Sequence, residues 1–390
     1  MTITVGQPTI EATRAPSWWE RQGDLIMRRP FNEWTFTHMN RVMPAEPVRR
    51  GGLHLPLPVR PRALDLTYQF DGREHHLSDL HRRTFTTAFV VLRRGVVVHE
   101  AYPGVFAGPR VRMQLFSVSK SVLSMLVGIA LAEGAIGGIE DRVIHYRPDF
   151  GGTAYERTVL GDLLDMTSGV GDLETWDLAD SGIKRFERAV LGGGDLAGVL
   201  RSAPRAAEAG ARFNYSTFDS QLLGWVLEAA TGRSLAAYAS ERLWSRLGAD
   251  RDAYYWLTRK RPRTAVGAGS LNATARDVAR LGHLMANDGM VAGEQVVPRE
   301  WVRRSRAARP AHLAVGALGA SGYSHYGYAN HWWTLASGAF TGVGVHGQYL
   351  YVAPAEQVVI VKCSAWPTQD DGQRDAETVA ALRGIVDHLA

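Results

Sequence analysis

The sequence holds a single cysteine, Cys363, in 390 residues. A lone thiol cannot close an intramolecular disulfide, so the chain is no disulfide-stapled scaffold and needs no oxidising compartment. Lysine is almost as scarce, since of 44 basic residues only Lys120, Lys184, Lys260 and Lys362 are lysines. The +5 formal charge is therefore an arginine excess. It is interleaved with 39 acidic residues and leaves no long basic stripe to track a phosphate backbone. Long apolar runs are missing as well. The stretch 125–132 falls far short of the roughly 20 residues that span a bilayer. Residues 1–28 have no apolar core of the secretory kind. The expectation is a cytoplasmic protein without nucleic-acid or membrane partners. No Gly-x-Ser-x-Gly elbow occurs, which argues against an α/β-hydrolase. No His-Glu-x-x-His occurs either, so His75, His76 and His81 beside Glu74 read as a solvated loop, and no metal or other cofactor is expected. Gly342-x-Gly344-x-x-Gly347 matches the dinucleotide fingerprint by letter. It precedes a strand-like run where that fingerprint must open a helix.

What remains is ordinary globular composition, 45% hydrophobic and 21% charged, in a chain long enough for two or three core-forming units. Residues 1–60 read as an N-terminal arm on the α/β domain, with Ser17 capping a turn at Trp18-Trp19. The proline-spaced run 55–61 is an extended linker. Runs 88–92 and 96–102, joined at Arg93-Arg94-Gly95, form a hairpin. From Ser117 to Glu133 apolar residues cover most faces and Gly134 follows, which gives a buried helix. Helices at 162–166, 221–230 and 275–287 follow, with a glycine loop at 192–194. Strands return at 348–352 and 358–363. A last helix sets Val379, Leu382, Val386 and Leu389 on one face. Strands towards both ends with helices between imply a mixed α/β chain. Its α/β domain is discontinuous, 61–160 with 280–390, and encloses a helical domain at 161–279.

The chemistry points to Ser117-Val118-Ser119-Lys120. A spacing of three sets Ser117 and Lys120 one helical turn apart on one face. A serine hydroxyl attacks only when a base takes its proton, and a neutral lysine can do so. Bringing a lysine from its usual value of about 10.4 to about 7 costs roughly 4–5 kcal/mol of cation stability, which burial can impose. Free N–H groups at the helix start can hold an oxyanion. By itself the pattern is also that of a capped helix with a surface lysine.

Further segments resemble the serine β-lactamase and penicillin-binding-protein superfamily. Arg212-Phe213-Asn214-Tyr215-Ser216-Thr217 followed by Leu222-Leu223-Gly224 resembles its tyrosine motif, and Leu163-Leu164-Asp165-Met166-Thr167-Ser168-Gly169 its Leu-Leu-x-x-Thr-Ser-Gly signature. The stretch from Asn272 to Arg280 is similar to its Thr-Ala-x-Asp-Leu-Ala helix. Gly342-Val343-Gly344-Val345-His346-Gly347 falls where a strand carries Lys-Thr-Gly. These motifs run in the superfamily's order over residues 85–390. Within the class C-like branch of esterases, peptidases and amidases, the chain is most similar to the 6-aminohexanoate-dimer (nylon-oligomer) hydrolases. The Ser-Val-Ser-Lys run, Trp332-Trp333, His346-Gly347-Gln348 and Val361-Lys362 through Trp366-Pro367 carry that likeness.

The resemblance implies a β-lactamase/transpeptidase-like fold, an antiparallel sheet flanked by helices beside an all-helical domain, with the site between them. It makes Ser117 the nucleophile, Lys120 its base and Tyr215 a proton relay, with the N–H groups of Ser117 and Val345 as the oxyanion hole. Two departures stand out. Thr217 replaces the motif's usual asparagine, and the strand lacks its lysine, leaving His346 as the nearest polar substitute, so β-lactamase activity is not expected. Substrate contacts are expected from His346, Trp333, Thr217 and Asp370, within an aromatic wall of Tyr323, Tyr326, Tyr328, Trp332, Trp333 and Trp366. The expected partner is a small amide or ester, with an amine acceptor in one variant, handled by a monomer or homodimer. Hydrolysis of the acyl-enzyme is the leading reading. Transfer to an amine without ATP is the alternative. A third is a non-catalytic binding protein, which need not keep Ser117, Lys120 and Tyr215 together.

Overall fold

The computed structural model describes residues 25–390 except 172, 173, 177, 179, 308, 309 and 322. The turn expected at Ser17 to Trp19 lies outside the described residues. The main sheet has seven strands, in the spatial order Gly327–Ala329, Trp332–Thr334, Phe340–Gly344, Gln348–Ala353, Val358–Ser364, Thr86–Arg93 and Val96–Ala101. Every neighbouring pair is antiparallel. The N-terminal hairpin thus completes a meander built from the far end of the chain. Its central strands carry apolar runs at Ala88–Leu92 and Val358–Val361 because helices cover both faces. Ala88, Val90 and Leu92 share one core with Leu281 and Leu284 of the helix Ala275–Ala286. Phe89, Val91 and Ile360 share another with Leu382, Ile385 and Leu389 of the helix Gly372–Leu389. The first helix lies close to the sheet at Gly282, where an added Cβ would come within 2.4 Å of Val359. The second starts well before the apolar stripe at 379–389, because Asp371 accepts from the Arg374 N–H and caps it.

A smaller four-stranded sheet runs Ala45–Val48, Ala253–Trp256, Leu271–Thr274, Arg112–Gln114. Two of its strands lie within 161–279, the segment expected to be helical. Both are four-residue runs paired to partners far away in sequence, so no local periodicity marks them. The rest of that segment does supply helices, Gly182–Gly192, Leu196–Arg201, Thr217–Thr231 and Leu235–Arg242. Gly193, at φ +77°, terminates the first of these where the glycine run reads as a loop. The described part of the arm is anchored through Ala45–Val48 in the small sheet and through Asn32, whose side-chain amide donates to the carbonyls of Ala365 and Trp366. Among the described residues no helix is long and apolar enough to cross a membrane.

The small sheet also places the key helix. Arg112–Gln114 runs directly into it, and the Leu115 N–H donates to the Leu271 carbonyl at 3.0 Å. Phe116 then turns at φ +46°, a conformation that costs a bulky residue about 1–3 kcal/mol. The helix Val118–Ala132 follows at once, with Ser117 as its N-cap.

Candidate active site

The turn at Phe116 presents Ser117 at the base of a cleft, and Lys120 stands one turn along the same helix. Lys120 is 1% exposed. Its Nζ donates to Ser117 Oγ at 2.9 Å, to the Ala268 carbonyl at 2.9 Å and to Thr217 Oγ1 at 3.3 Å. Burial disfavours the ammonium and brings the lysine down to about 8, while the charge of Glu174 opposes that fall. Lys120 is therefore not the surface lysine of an ordinary capped helix.

The segment before the helix Thr217–Thr231 supplies the next groups. The Tyr215 ring lies 5.0 Å from Lys120 Nζ, and its hydroxyl bonds to the Ser117 side chain. Burial, reinforced by Glu174, raises that phenol far above its ordinary range, so it stays protonated. Opposite, the strand Phe340–Gly344 crosses the start of the Ser117 helix. An added Cβ at Gly344 would approach Ser117 N to 3.1 Å and the Leu115 carbonyl to 2.6 Å, so only glycine permits this passage. Val345 follows it beside Ser117 at the cavity wall. Among the described residues, neither the Ser117 nor the Val345 N–H donates to a backbone carbonyl.

Ser117, Lys120, Tyr215, Thr217, Val345, Trp333 and Asp370 all line one cavity of about 390 Å³. Trp333 stacks on Tyr215 with ring centroids 5.3 Å apart. Tyr323, Tyr326 and Trp366 complete the aromatic wall as expected. Tyr328 and Trp332 do not. Strand alternation turns Trp332 into the core against Phe340, and Tyr328 packs behind Trp333.

His346 is the clear correction. Expected to meet substrate, it is fully buried outside the cavity lining, and its Nδ1–H donates to the Trp366 carbonyl at 2.8 Å. Burial lowers it to about 4, so the ring is neutral. Its φ of +60° swings the side chain behind the turn, against Phe36 and Phe116. It braces the turn that carries Val345.

Two participants have no counterpart among the expected residues. The Ala268 carbonyl is a backbone acceptor and leaves no trace in a motif. Glu174 comes from an aperiodic stretch, lines the cavity and accepts the Thr217 N–H. Burial raises its carboxyl and Lys120 pulls it back down.

Below the site, Asp219 ties two of the motifs together. Its Oδ1 accepts from Tyr155 OH and from Ser168 Oγ, both at 2.9 Å. Full burial raises it to about 8. A carboxyl with a raised folded value gives its full stability below the unfolded value near 4 and loses it as pH rises through the folded one. Asp219→Asn removes that loss. Urea unfolding is expected to show the stability of the variant improving relative to wild type by a few kcal/mol between about pH 4 and about pH 9.

A serine and a buried lysine at a helix start, faced by a tyrosine and a strand edge, define a class of enzyme. The chain belongs to the beta-lactamase family, whose signature matches residues 70–383, and is an enzyme of the β-lactamase-like hydrolase superfamily. It is 30% identical over 376 residues to the 6-aminohexanoate-dimer hydrolase of Paenarthrobacter ureafaciens, covering 94% of this chain and 90% of that one. A Bacillus anthracis protein, solved as a candidate 6-aminohexanoate-dimer hydrolase, superposes with a TM-score of 0.83 at 26% identity, over 93% of this chain and 96% of the other. The hydrolase EstCE1, described as having promiscuous acyltransferase activity, shares the fold with a TM-score of 0.61 at 17% identity, over 77% and 98% of the two chains. The β-lactamase/transpeptidase-like fold expected from the motifs is the fold observed.

Proposed function

We propose that this enzyme forms an acyl-enzyme at Ser117 and hydrolyses a small amide or ester. The carrying observation is the buried Lys120 ammonium held 2.9 Å from Ser117 Oγ. Once neutral, Lys120 takes the Ser117 proton and the oxygen attacks the carbonyl carbon. The developing oxyanion rests on the N–H groups of Ser117 and Val345, which no other backbone group occupies among the described residues. Tyr215 remains a phenol, so it passes a proton to the leaving nitrogen or oxygen while receiving one from Lys120. Water then releases the acid by the reverse sequence.

The cavity also favours a cationic substrate. Glu174, Asp370 and Asp375 line it together with Lys120, and an ammonium group on the substrate would pair with a carboxylate of that lining. This agrees with the substrate in the name of the Paenarthrobacter relative. Two amides of equal length, one ending in an ammonium and one in a methyl group, test the point. The ammonium amide is expected to have about tenfold higher kcat/KM. Asp370→Asn should shrink that ratio, and an unchanged ratio would remove Asp370 from substrate recognition.

Transfer to an amine has its own support in the aromatic wall of Tyr323, Tyr326, Trp333 and Trp366, whose ring surfaces would exclude water from that side of the cavity. Adding primary amines to a turning-over ester separates the courses. Amide product that rises with amine concentration at constant total turnover marks a transacylase, and acid product alone marks a hydrolase.

A further inference from the structure

The Ser117–Lys120 reading leaves one half-buried acid without a task. Glu174 lines the same cavity, and its Oε1 accepts the backbone N–H of Thr217. The Thr217 hydroxyl in turn accepts from Lys120 Nζ, which donates to Ser117 Oγ. A chain of direct contacts therefore joins Glu174 to the nucleophile. We propose that Glu174 is a positioning residue for that pair: anchored on Thr217 and close to Lys120, its negative charge sets the acidity range in which Lys120 can serve as a neutral base. This rests on the reading of Lys120 as the base of Ser117.

Three elements present ionisable groups to Lys120. The loop through Glu174 brings the carboxylate, the segment before the helix Thr217–Thr231 brings Tyr215, and the turn at Asn330-His331 brings the His331 ring, 3.2 Å from the Lys120 carbonyl. His331 is buried and lowered to about 3, so it is neutral. Tyr215 is protonated. Of these groups Glu174 is the one whose charge acts on Lys120. Glu174 itself faces Lys120, while the phenols Tyr215, Tyr323 and Tyr328 feel its charge. Asp370, from the loop ahead of the last helix, acts on Tyr215 and Tyr323.

The sign follows from elementary electrostatics. Burial alone favours a neutral lysine and would let the pair work at low pH. A nearby carboxylate favours the ammonium and moves the working range upward, by about one pH unit or more at close approach. Thr217 makes the arrangement specific, because its hydroxyl and its N–H serve the two partners at once.

The test is the pH dependence of kcat/KM for a short activated ester in wild type, Glu174→Gln and Glu174→Asp. Intact-mass detection of the Ser117 adduct accompanies each profile. Glu174→Gln is expected to acylate and to move its acidic limb down by about one pH unit. Glu174→Asp, with its charge one methylene further back, is expected to move it the same way by less, and it decides the matter if the glutamine variant fails to fold. An unmoved limb with the adduct intact overturns the role of Glu174 alone. Accumulation of adduct with turnover lost at every pH also overturns it, because Glu174 would then act on the deacylating nucleophile. A wild type that takes no adduct at Ser117, or a Lys120→Ala variant that keeps the wild-type limb, overturns both readings.

Discussion

Ser117→Ala is expected to lower turnover of amides and esters by about 10⁴–10⁶-fold, with substrate affinity close to wild type. The loss is that large because no neighbouring group can stand in for the oxygen. Ser119 and Ser121 are buried on other faces of the helix, where Ser119 Oγ accepts from the Leu271 N–H and Ser121 Oγ donates to the His331 carbonyl, both in purely structural roles. The structural cost is small. Ser117 makes no side-chain cap on its helix, so alanine removes its contacts to Lys120 and Tyr215 and little else. Single-turnover kinetics with an activated ester, alongside a binding measurement, checks both halves. Residual activity within about tenfold of wild type would place the nucleophile elsewhere.

The second large effect belongs to Lys120. Lys120→Met keeps most of the side-chain volume but removes the base, and a fall of about 10²–10⁴-fold is expected. Lys120→Arg is the sharper probe. Guanidinium keeps a charge at this position yet does not deprotonate in a protein, so it should be as inactive as methionine. The wild-type profile carries the same information. Only neutral Lys120 accepts a proton, and burial lowers it to about 8, so kcat/KM should rise with pH through about 8 and flatten above. Loss of that limb in both variants is the expected outcome. Activity of Lys120→Arg comparable to wild type would show that the amine supplies charge and not basicity.

Much of this is legible in the residues themselves. The reacting pair lies within one helical turn, and a helix with apolar residues on most faces implies its lysine is buried. The strands read at 88–92 and 358–363 fall within the observed Thr86–Arg93 and Val358–Ser364, because a sheet covered on both faces leaves mostly apolar runs. What stays hidden is long-range. Ala253–Trp256 and Leu271–Thr274 gain their strand character from partners at 45–48 and 112–114. Glu174 matters through the company it keeps after folding, and no spacing announces it. His346 shows the opposite failure. A polar residue in a family motif position suggests contact with substrate, yet a positive φ turns its ring into the core. Trp332 and Trp333 divide between core and cavity because neighbours on a strand face opposite ways.

The central claim is that an acyl group passes through Ser117 Oγ. The most direct measurement is intact-protein mass after brief exposure to an activated ester, followed by peptide mapping of the adduct. A single added acyl group on the peptide containing Ser117, lost on standing with water or amine and absent from Ser117→Ala, is the predicted result. No adduct on the wild type, or an equal adduct on Ser117→Ala, would contradict it.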